Sequence, residues 1–512
     1  MRFCAEKVIK SGTLVNNITG VFFLVKRLMC VMFSVALLLV CTIGRIGYIS
    51  LSGDYTVSSG YNSYTLTVTS LKQTIYDRNM RRMNNNQNSL VAVIRPTQNC
   101  LSELNKLFSQ RETEEIVDEL SQGYPVVRKI DSYANCQYIK IMETKETALT
   151  PLLKLVQKEY GEVVYEQKIN FGVDAVGRLL EGDEGETAEE YNTEVPYGVQ
   201  LTVDSRIQQA VEDAAKYMRK GAVVVMDVNT ADILALYCAP DDNMLRAVMP
   251  YTVGSVFKLV VSSCAIENGI DISYNCTGNI TVGDTVFSCQ KEKAHGQQHM
   301  REALANSCNC FFVKLALQLG ADKVLKTARA FGFGGETRLM ENDSVSDGNL
   351  PDENDLSSKG QLALLGFGQG LLTSTPLHFC TALCALSNGG VYREPRLVAG
   401  TVDINEDVKE TGQKESKRVI SEETSKILRS YMRYVVTNGT GSAAEYNDSS
   451  AGKTSTAQSG IYKDGREVLN TWFAGIYPYD DPKYAIVVMT EDGTSGSSDC
   501  CPIFRTIVES IS

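Results

Sequence analysis

Two residues three positions apart, Ser255 and Lys258 in VGSVFKLV, have the types and spacing needed for acyl transfer. On a helix this step places both side chains on one face. A serine hydroxyl is a weak nucleophile until a base takes its proton, and a lysine amine can do so when burial lowers its pKa. A helix that begins here would also direct free N–H groups at the developing anion. The pair predicts a serine nucleophile with lysine as its general base.

Two more motifs follow in the chain. Ser307 and Asn309, in ANSCNCFF, could relay a proton and hold a substrate amide. The stretch AGKTSTAQ, which contains Lys453-Thr454-Ser455-Thr456, is close to a Lys-Thr-Gly strand motif but has serine in the third position. Ser-x-x-Lys, Ser-x-Asn and Lys-Thr-x in this order indicate a serine acyl enzyme far more specifically than any one of them.

Each motif also occurs elsewhere in the chain. Ser288-Cys289-Gln290-Lys291 repeats the first spacing, and Ser273-Tyr274-Asn275 repeats the second. Lys10-Ser11-Gly12-Thr13 fits the third pattern better than AGKTSTAQ does. That rival precedes an apolar segment and would lie across a membrane from Ser255, so chain order and topology favour Lys453.

Alternating strand and helix patterns surround the three motifs. GAVVVMDVNTADILALY contains two β-rich runs around a turn, and TWFAGIY and YAIVVMT flank the turn-like PYDDP, so each pair predicts a hairpin. GSVFKLVVSSCAIENG and EALANSCNCFFVKLALQLG are helical patterns that close on glycine. Strands, helices and then strands predict one sheet built from both ends of the domain. GFGQG, Gly366 to Gly370, lacks dinucleotide-loop spacing and predicts a turn.

Leu28 to Ile43 carries no charge and, with flanks through Ile49, is long enough for a membrane-spanning helix. Basic residues precede it, which predicts a cytoplasmic N-terminus and places everything after Tyr48 outside the cell membrane. A cleaved signal peptide is the main alternative, but no A-x-A-like cleavage site follows the segment. A buried core helix fits its terminal position and basic flank less well. We expect an uncleaved, single-pass anchor.

The length of 512 residues favours two or more domains, and a net charge of -11 argues against a nucleic-acid partner. The acidic run Glu181 to Glu194 predicts a solvated linker or loop at the domain boundary. The fifteen cysteines form no C-x-x-C pairs, so neither a zinc nor a redox motif is expected. Cys276 and Cys289 bracket a short strand and could form a disulfide, whereas most others fit buried helices.

The ordered motifs and their surroundings resemble the penicillin-binding proteins, serine acyltransferases with a β-lactamase-like transpeptidase fold. The segments GVQLTVDSRIQQAVEDAA, LLGFGQGLLTSTPLHFCTALCALSNGG and TWFAGIYPYDDPKYAIVVMTEDG resemble successive parts of that domain, from Tyr197 to the C-terminus. TIYDRN resembles the start of the class B pedestal. No glycosyltransferase motif lies between residues 51 and 195, which favours the monofunctional class B subgroup.

The resemblance implies an α+β fold, an antiparallel sheet with helices on both sides, preceded by a transmembrane helix and an elongated pedestal. The domains would be a cytoplasmic N-terminus (1–27), the anchor (28–49), the pedestal (50–190) and the transpeptidase domain (191–512). Ser255 would be acylated and Lys258 would be its base. The remaining groups would be Ser307, Asn309 and Lys453 for proton relay and orientation, Thr454 and Thr456 for the substrate carboxylate, and the Ser255 and Thr456 N–H groups for the oxyanion.

The implied reaction cross-links peptidoglycan. Ser255 would attack the penultimate D-alanine carbonyl of a stem peptide, and an amine of a neighbouring stem would resolve the acyl-enzyme. A β-lactam would mimic the D-alanyl-D-alanine end and trap that intermediate. The family requires no metal or organic cofactor, and class B members act with a membrane glycosyltransferase of the SEDS type.

Three alternatives stay open. A D,D-carboxypeptidase or β-lactamase would share the fold but transfer the acyl group to water. A silent scaffold that activates its glycosyltransferase is kept open by Ser455, and by Val253, which replaces a usual proline before Gly254. A β-lactam sensor would need a transmembrane signalling domain. We expect Ser455 to narrow the substrate groove and to modulate acylation, since serine adds one hydroxyl where glycine lets substrate approach.

Overall fold

The structure is a computed structural model that describes residues 26–48, 63–174, 176–240, 242, 244–340, 344–412 and 415–512. Helix α1 (Lys26–Tyr48) has a mean hydropathy of 2.2 over its most apolar window and is long enough to cross a membrane. It overlaps the span predicted for residues 28–49 and fits a single-pass anchor. The rival motif Lys10 to Thr13 lies outside the described residues.

The elements of the region that follows are β1 (Ser63–Lys72), β2 (Thr74–Tyr76), β3 (Asn85–Ile94), α2 (Gln98–Glu103), α3 (Gln110–Leu120), β4 (Val126–Ile130), β5 (Lys140–Ala148), α4 (Pro151–Glu159), β6 (Val163–Gly172) and β7 (Glu186–Tyr191). They include two small antiparallel sheets, one of β1, β6 and β7 and one of β4, β3 and β5.

Strand β7 corrects one expectation from the sequence. The acidic run from Glu181 was expected to be a linker or loop, but Glu186–Tyr191 pairs antiparallel with β6. The strand is an edge strand whose side chains are mostly exposed, so its carboxylates stay in water while its backbone completes the sheet. Lys168 of β6 forms ion pairs with Glu166 and Glu190 across this edge. The acidic composition therefore reflects one solvated strand.

From Gly198 onward the chain forms a larger α+β unit. Its helices are α5 (Ser205–Ala215), α6 (Lys258–Glu267), α7 (Met300–Ala305), α8 (Asn309–Leu319), α9 (Ala321–Ala330), α10 (Lys359–Gly366), α11 (Pro376–Ser387), α12 (Glu422–Asn438) and α13 (Cys501–Ile511). Its strands are β8 (Gly198–Leu201), β9 (Gly221–Asp227), β10 (Ile233–Ala239), β11 (Tyr251–Thr252), β12 (Tyr274–Cys276), β13 (Asn279–Val282), β14 (Thr285–Ser288), β15 (Gly296–Gln298), β16 (Glu336–Arg338), β17 (Ser344–Ser346), β18 (Thr373–Ser374), β19 (Val391–Arg393), β20 (Val398–Val402), β21 (Val408–Glu410), β22 (Ser416–Arg418), β23 (Ala451–Lys463), β24 (Arg466–Tyr477) and β25 (Tyr484–Glu491).

A five-stranded antiparallel sheet, in the order β10-β9-β25-β24-β23, forms the centre of this unit. Both predicted hairpins are present, as β9–β10 and β24–β25, and together they confirm one sheet built from both ends of the domain. Helices α5 and α13 pack on one face, and α11, apolar on all sides and wholly buried, packs on the other. Helices on both faces confirm the predicted architecture.

A second sheet joins the membrane-proximal region to this unit. Strand β2 pairs in parallel with β8, which pairs with β20, giving the order β2-β8-β20-β21. Just after β2, the Asp77 carboxylate accepts hydrogen bonds from the backbone N–H groups of Asn79 (2.8 Å), Arg81 (2.8 Å) and Ser205 (3.3 Å). Residues near the start of the predicted pedestal therefore belong to a sheet of the larger α+β unit, and the boundary at residue 190 stays a prediction.

Phe504 supplies a test of this packing. Its ring lies on α13 and makes an edge contact with Phe473 of β24, with centroids 4.8 Å apart and both side chains fully buried. Phe504→Ala should lower the free energy of unfolding by about 3–5 kcal/mol, because it removes buried area and leaves a cavity. Thermal unfolding of the full chain in detergent, followed by near-UV circular dichroism, measures the change.

Ile461→Ala is the matched control, since that side chain is 64% exposed in β23. It should change stability by no more than about 0.5 kcal/mol. Equal unfolding temperatures for the two variants would contradict the assigned packing of α13 on the sheet.

Candidate active site

A short 3-10 helix, Gly254–Phe257, carries the predicted nucleophile and runs directly into α6. Side chains at i and i+3 eclipse in a 3-10 helix, so Ser255 and Lys258 project on the same side. Ser255 is half-buried, whereas Lys258 is fully buried at the first residue of α6. The spacing therefore directs both side chains to the same side of the turn, and the pairing of the Ser255 hydroxyl with the Lys258 amine stays a prediction.

The GFGQG segment supports this nucleophile turn. Gly254 has φ +55°, and its N–H donates to the Gly368 carbonyl at 2.9 Å. Gly368 has φ +79°, and a Cβ there would lie 2.0 Å from the Gly254 carbonyl oxygen. Only glycine allows so close an approach with this backbone. GFGQG is a turn, as predicted, and its contact with Gly254, the residue before Ser255, is a role that the sequence did not reveal.

The Lys258 amine joins the first motif to the second. Its Nζ donates to the Ser307 carbonyl and to Asn309 Oδ1, both at 2.8 Å, and lies 3.4 Å from Ser307 Oγ. Burial lowers the pKa of Lys258 to about 8. About one tenth of this amine is therefore neutral at pH 7, far more than for an ordinary lysine, and the neutral form is the one that a general base requires.

Lys453 of β23 approaches the same serine from the opposite side. Its Nζ donates to Ser307 Oγ at 3.0 Å and to the Thr454 carbonyl at 2.8 Å. Burial and the nearby Lys258 charge hold the pKa of Lys453 well below its usual value. The Ser307 hydroxyl thus lies between two amines, an arrangement that can pass a proton from one to the other.

The Ser-x-Asn motif lies at a break between α7 and α8, where the sequence predicted one helical segment. Ser307 has φ +53°, a left-handed conformation that ends α7, and the Cys308 N–H donates to the Ala303 carbonyl at 2.9 Å. Such a conformation is costly for serine and is held only where surrounding contacts fix it. The break turns both the Ser307 hydroxyl and its carbonyl toward the lysines.

The third motif lies on β23, an edge strand of the central sheet. Thr454 is buried, and its Oγ1 lies 2.5 Å from Thr440 Oγ1, whereas Thr456 is half-buried and accepts a hydrogen bond from the Gly496 N–H at 3.4 Å. Thr440, in the turn after α12, is a site residue that the sequence analysis missed. The one feature of the sequence that could have indicated Thr440 is its position between Gly439 and Gly441.

Ser455 departs from the expectation that it narrows the open groove. It is only 3% exposed, and a Cβ placed on Gly254 would lie 2.6 Å from its hydroxyl oxygen. Among the described residues, that hydroxyl has no hydrogen-bond partner. Strand alternation directs Lys453 and Ser455 to the same side, so the extra hydroxyl packs beneath the nucleophile turn. Its contact is with the enzyme's own backbone.

The disulfide that the sequence left possible between Cys276 and Cys289 is not formed. Both are free thiols, and their sulfur atoms are 3.7 Å apart, well beyond the roughly 2.05 Å of an S–S bond. Both side chains are buried.

Comparisons with known proteins agree with this arrangement. Residues 221–509 match the family model of the penicillin binding protein transpeptidase domain. Stage V sporulation protein D of Bacillus subtilis is 30% identical over 66% of this chain and 57% of its own length. PbpB of Mycolicibacterium smegmatis is 31% identical over 60% of this chain and 53% of its own length. The chain thus aligns with little more than half of each of these two relatives.

Solved structures show the same fold. The D,D-transpeptidase domain of a peptidoglycan glycosyltransferase from Eggerthella lenta superposes with a TM-score of 0.60 at 22% identity, covering 86% of this chain and 98% of that one. Penicillin-binding protein A of Mycobacterium tuberculosis, as a ceftriaxone acyl-enzyme complex, gives 0.55 at 25% identity, covering 61% and 79%. PBP2 of Helicobacter pylori, in complex with MreC, gives 0.62 at 19% identity, covering 88% and 98%.

The family match covers more than half of the chain, and the three motifs that define its chemistry meet at one serine hydroxyl between two buried lysines. The chain therefore belongs to the penicillin-binding protein transpeptidase family.

Proposed function

We propose that this protein is a class B peptidoglycan D,D-transpeptidase that works through a Ser255 acyl-enzyme and is a covalent target of β-lactams. The observation that carries the proposal is the Ser307 hydroxyl, which lies 3.4 Å from Lys258 Nζ and 3.0 Å from Lys453 Nζ. Two buried amines around one hydroxyl, next to a half-buried serine, form a proton path that a silent scaffold would not need.

Acylation begins when Ser255 Oγ attacks the penultimate D-alanine carbonyl and its proton passes to the neutral Lys258 amine. The backbone N–H groups of Ser255 and Thr456 would hold the tetrahedral oxyanion. The peptide bond then breaks, and the departing D-alanine nitrogen takes a proton through Ser307, with Lys453 keeping that hydroxyl oriented. An acceptor amine next attacks the Ser255 ester, and the new amide bond forms as the ester bond to Ser255 Oγ breaks. The proton that the amine loses passes by the same path to Ser255 Oγ, which restores the hydroxyl and releases the cross-linked peptide.

Strand β23 suits binding of an extended peptide. Among the described strands it pairs only with β24, so a stem peptide can add along its other edge through backbone hydrogen bonds. Thr454 and Thr456 lie on the same side of the strand, where both can serve the substrate carboxylate. Thr456 is half-buried, and Thr454 is buried and held by its contact with Thr440. The alternative of a carboxypeptidase or β-lactamase would use the same groove with water as acceptor.

A membrane anchor would hold this chemistry at the cell membrane. With α1 as a single span, the basic flank predicts a cytoplasmic N-terminus and an extracytoplasmic catalytic unit. The region of residues 50–190 would then serve as the pedestal and bind a SEDS-type glycosyltransferase. The Helicobacter pylori structure, in which a protein of this fold is bound to MreC, supports the proposal that such proteins bind protein partners.

Labelling of membranes with a fluorescent penicillin tests the acyl-enzyme. The intact protein should be labelled covalently. Ser255→Ala should lose the label because it removes the hydroxyl that the penicillin would acylate. Ser288→Ala is the matched control, since Ser288 belongs to the second Ser-x-x-Lys match. Only its backbone carbonyl, which accepts a hydrogen bond from Asn309, contacts the site, and the substitution keeps that carbonyl. Label that survives in Ser255→Ala, or fails on the intact protein, would overturn the mechanism.

Product analysis separates the transferase from the hydrolase. With a pentapeptide donor and an amine acceptor, a transpeptidase yields mainly cross-linked product and releases one D-alanine for each link. Hydrolysed tetrapeptide as the main product in the presence of acceptor would favour the carboxypeptidase alternative.

The pH dependence of acylation should follow Lys258. Burial lowers its pKa to about 8, so the neutral, proton-accepting form increases as pH rises through that value. We expect the labelling rate to rise about tenfold per pH unit below about pH 8 and to level off above it. Stopped labelling reactions between about pH 6 and 10 measure the profile, and a flat profile would remove Lys258 as the base.

Ser455 supplies a matched pair of variants. Ser455→Gly and Ser455→Ala both remove the buried hydroxyl that packs unpaired beneath Gly254. An unpaired buried hydroxyl costs about 1–3 kcal/mol, so removing it should favour the arrangement in which the nucleophile turn contacts β23. We expect acylation to become severalfold faster in both variants. Unchanged rates and β-lactam profiles would show that serine at this position is neutral.

A further inference from the structure

Three cysteines and a histidine converge beside the Ser-x-Asn motif. We call Cys276, Cys289, His295 and Cys308 the thiol–imidazole cluster. The three thiols are at most 3% exposed and the imidazole is half-buried. Each offers one ligand atom, and the four atoms all lie within 4.8 Å of one another. This cluster was not recognised from the sequence, because its members are separated by 13, 6 and 13 positions instead of forming C-x-x-C pairs.

The distances within the cluster match a tetrahedral metal site. Zinc binds thiolate sulfur at about 2.3 Å and imidazole nitrogen at about 2.05 Å, so the edges of a regular tetrahedron would be about 3.8 Å for S···S and about 3.6 Å for S···N. The observed separations are 3.7 Å for Cys276–Cys289, 3.7 Å for Cys289–Cys308 and 3.5 Å for Cys276 Sγ to His295 Nδ1. We propose that the thiol–imidazole cluster binds a structural zinc ion through three thiolates and one imidazole.

The local fold gives a reason why a metal ion would be needed for stability here. Residues 274–298 form two separate two-stranded pairs, β12–β15 and β13–β14, which bury few side chains of their own. Small units of this kind commonly depend on a metal or a disulfide for stability. Three of the ligands come from this segment and the fourth, Cys308, immediately precedes α8. Zinc would therefore fasten both hairpins to the catalytic unit.

The cluster is also continuous with the proposed catalytic site. Cys308 is the central residue of the Ser307-Cys308-Asn309 motif, and Cys289 follows Ser288, whose carbonyl accepts a hydrogen bond from Asn309 Nδ2 at 3.0 Å. Asn309 Oδ1 in turn accepts from Lys258. A bound zinc ion would hold both backbone segments that position Asn309. This second role rests on the proposed function, and it makes Cys289 and Cys308 positioning residues.

Cys310 is the nearest competitor and serves as the control. Its sulfur lies 3.4 Å from Cys289 Sγ, but it is directed at the Phe287 carbonyl at 3.9 Å and is not among the four mutually close ligands. If the assignment is correct, Cys310→Ser keeps the metal, whereas loss of a true ligand weakens it.

Metal analysis of the full chain tests the site. Protein purified in detergent without chelator should contain about one zinc ion per chain, as measured by elemental mass spectrometry. Cobalt exchanged into the site should show thiolate-to-cobalt charge-transfer absorption. His295→Ala is the main variant, because its half-buried position makes misfolding less of a concern than at Cys308. It should lose most of the zinc, while Cys310→Ser should retain it.

Three outcomes would overturn the proposal. The first is a chain free of zinc that takes up no zinc when the ion is supplied. The second is a Cys276–Cys289 disulfide found by peptide mass spectrometry under non-reducing conditions. The third is zinc retained in His295→Ala but lost from Cys310→Ser, which would reject the ligand set.

Acylation of the metal-depleted chain tests the positioning role. Removing zinc by a chelator should slow penicillin labelling about 10–100-fold, and adding zinc should restore it. Ser255→Ala, in contrast, should abolish labelling with full zinc content, so failure of the metal site and failure of the acyl-enzyme proposal give different results. Equal labelling rates with and without zinc would overturn the link between the cluster and Asn309.

Discussion

The burial of two lysine amines around a single serine hydroxyl is the constraint on which the rest of this structure depends. Removing a cation from water is costly unless the group gives up its proton or finds several acceptors. Lys258 and Lys453 do both, because their pKa values fall and each donates two hydrogen bonds of 3.0 Å or less. The two amines and their acceptors must therefore be held in place by the fold, and three distant chain segments are needed to supply them.

Each segment is fixed by a different local device. The nucleophile turn depends on the contact between Gly254 and Gly368, the Ser-x-Asn loop on the left-handed Ser307, and β23 on its pairing with the buried strand β24. These devices are small and backbone-based, so side chains can change around them while the geometry persists. This fits a family whose members are about 30% identical to this chain over the matched region.

The sequence predicted the order of elements, both hairpins and the motif residues, because strand alternation and a three-residue step are local properties. It did not predict contacts that depend on long-range packing. Thr440 meets Thr454 only after α12 is placed against β23, and Ser455 faces Gly254 only because an edge strand passes beneath that turn. The acidic run from Glu181 was predicted to be a linker or loop because acidic composition indicates solvent exposure. An exposed edge strand such as β7 has the same composition, so composition alone could not separate the two. The cluster around Cys289 was hidden because its ligands come together only through two hairpins and a helix start.

The parallel pairing of β2 with β8 has a mechanical meaning. Strand β2 is hydrogen-bonded to β8, and β8 is hydrogen-bonded to β20. Arg396 precedes β20 and donates hydrogen bonds of 2.7 and 3.0 Å to the Asp232 carboxylate, which lies just before β10. A displacement of β2 is therefore passed directly to β8 and β20 through backbone hydrogen bonds. It is carried as shear along these strands toward the central sheet, so a strand of the predicted pedestal is mechanically coupled to that sheet.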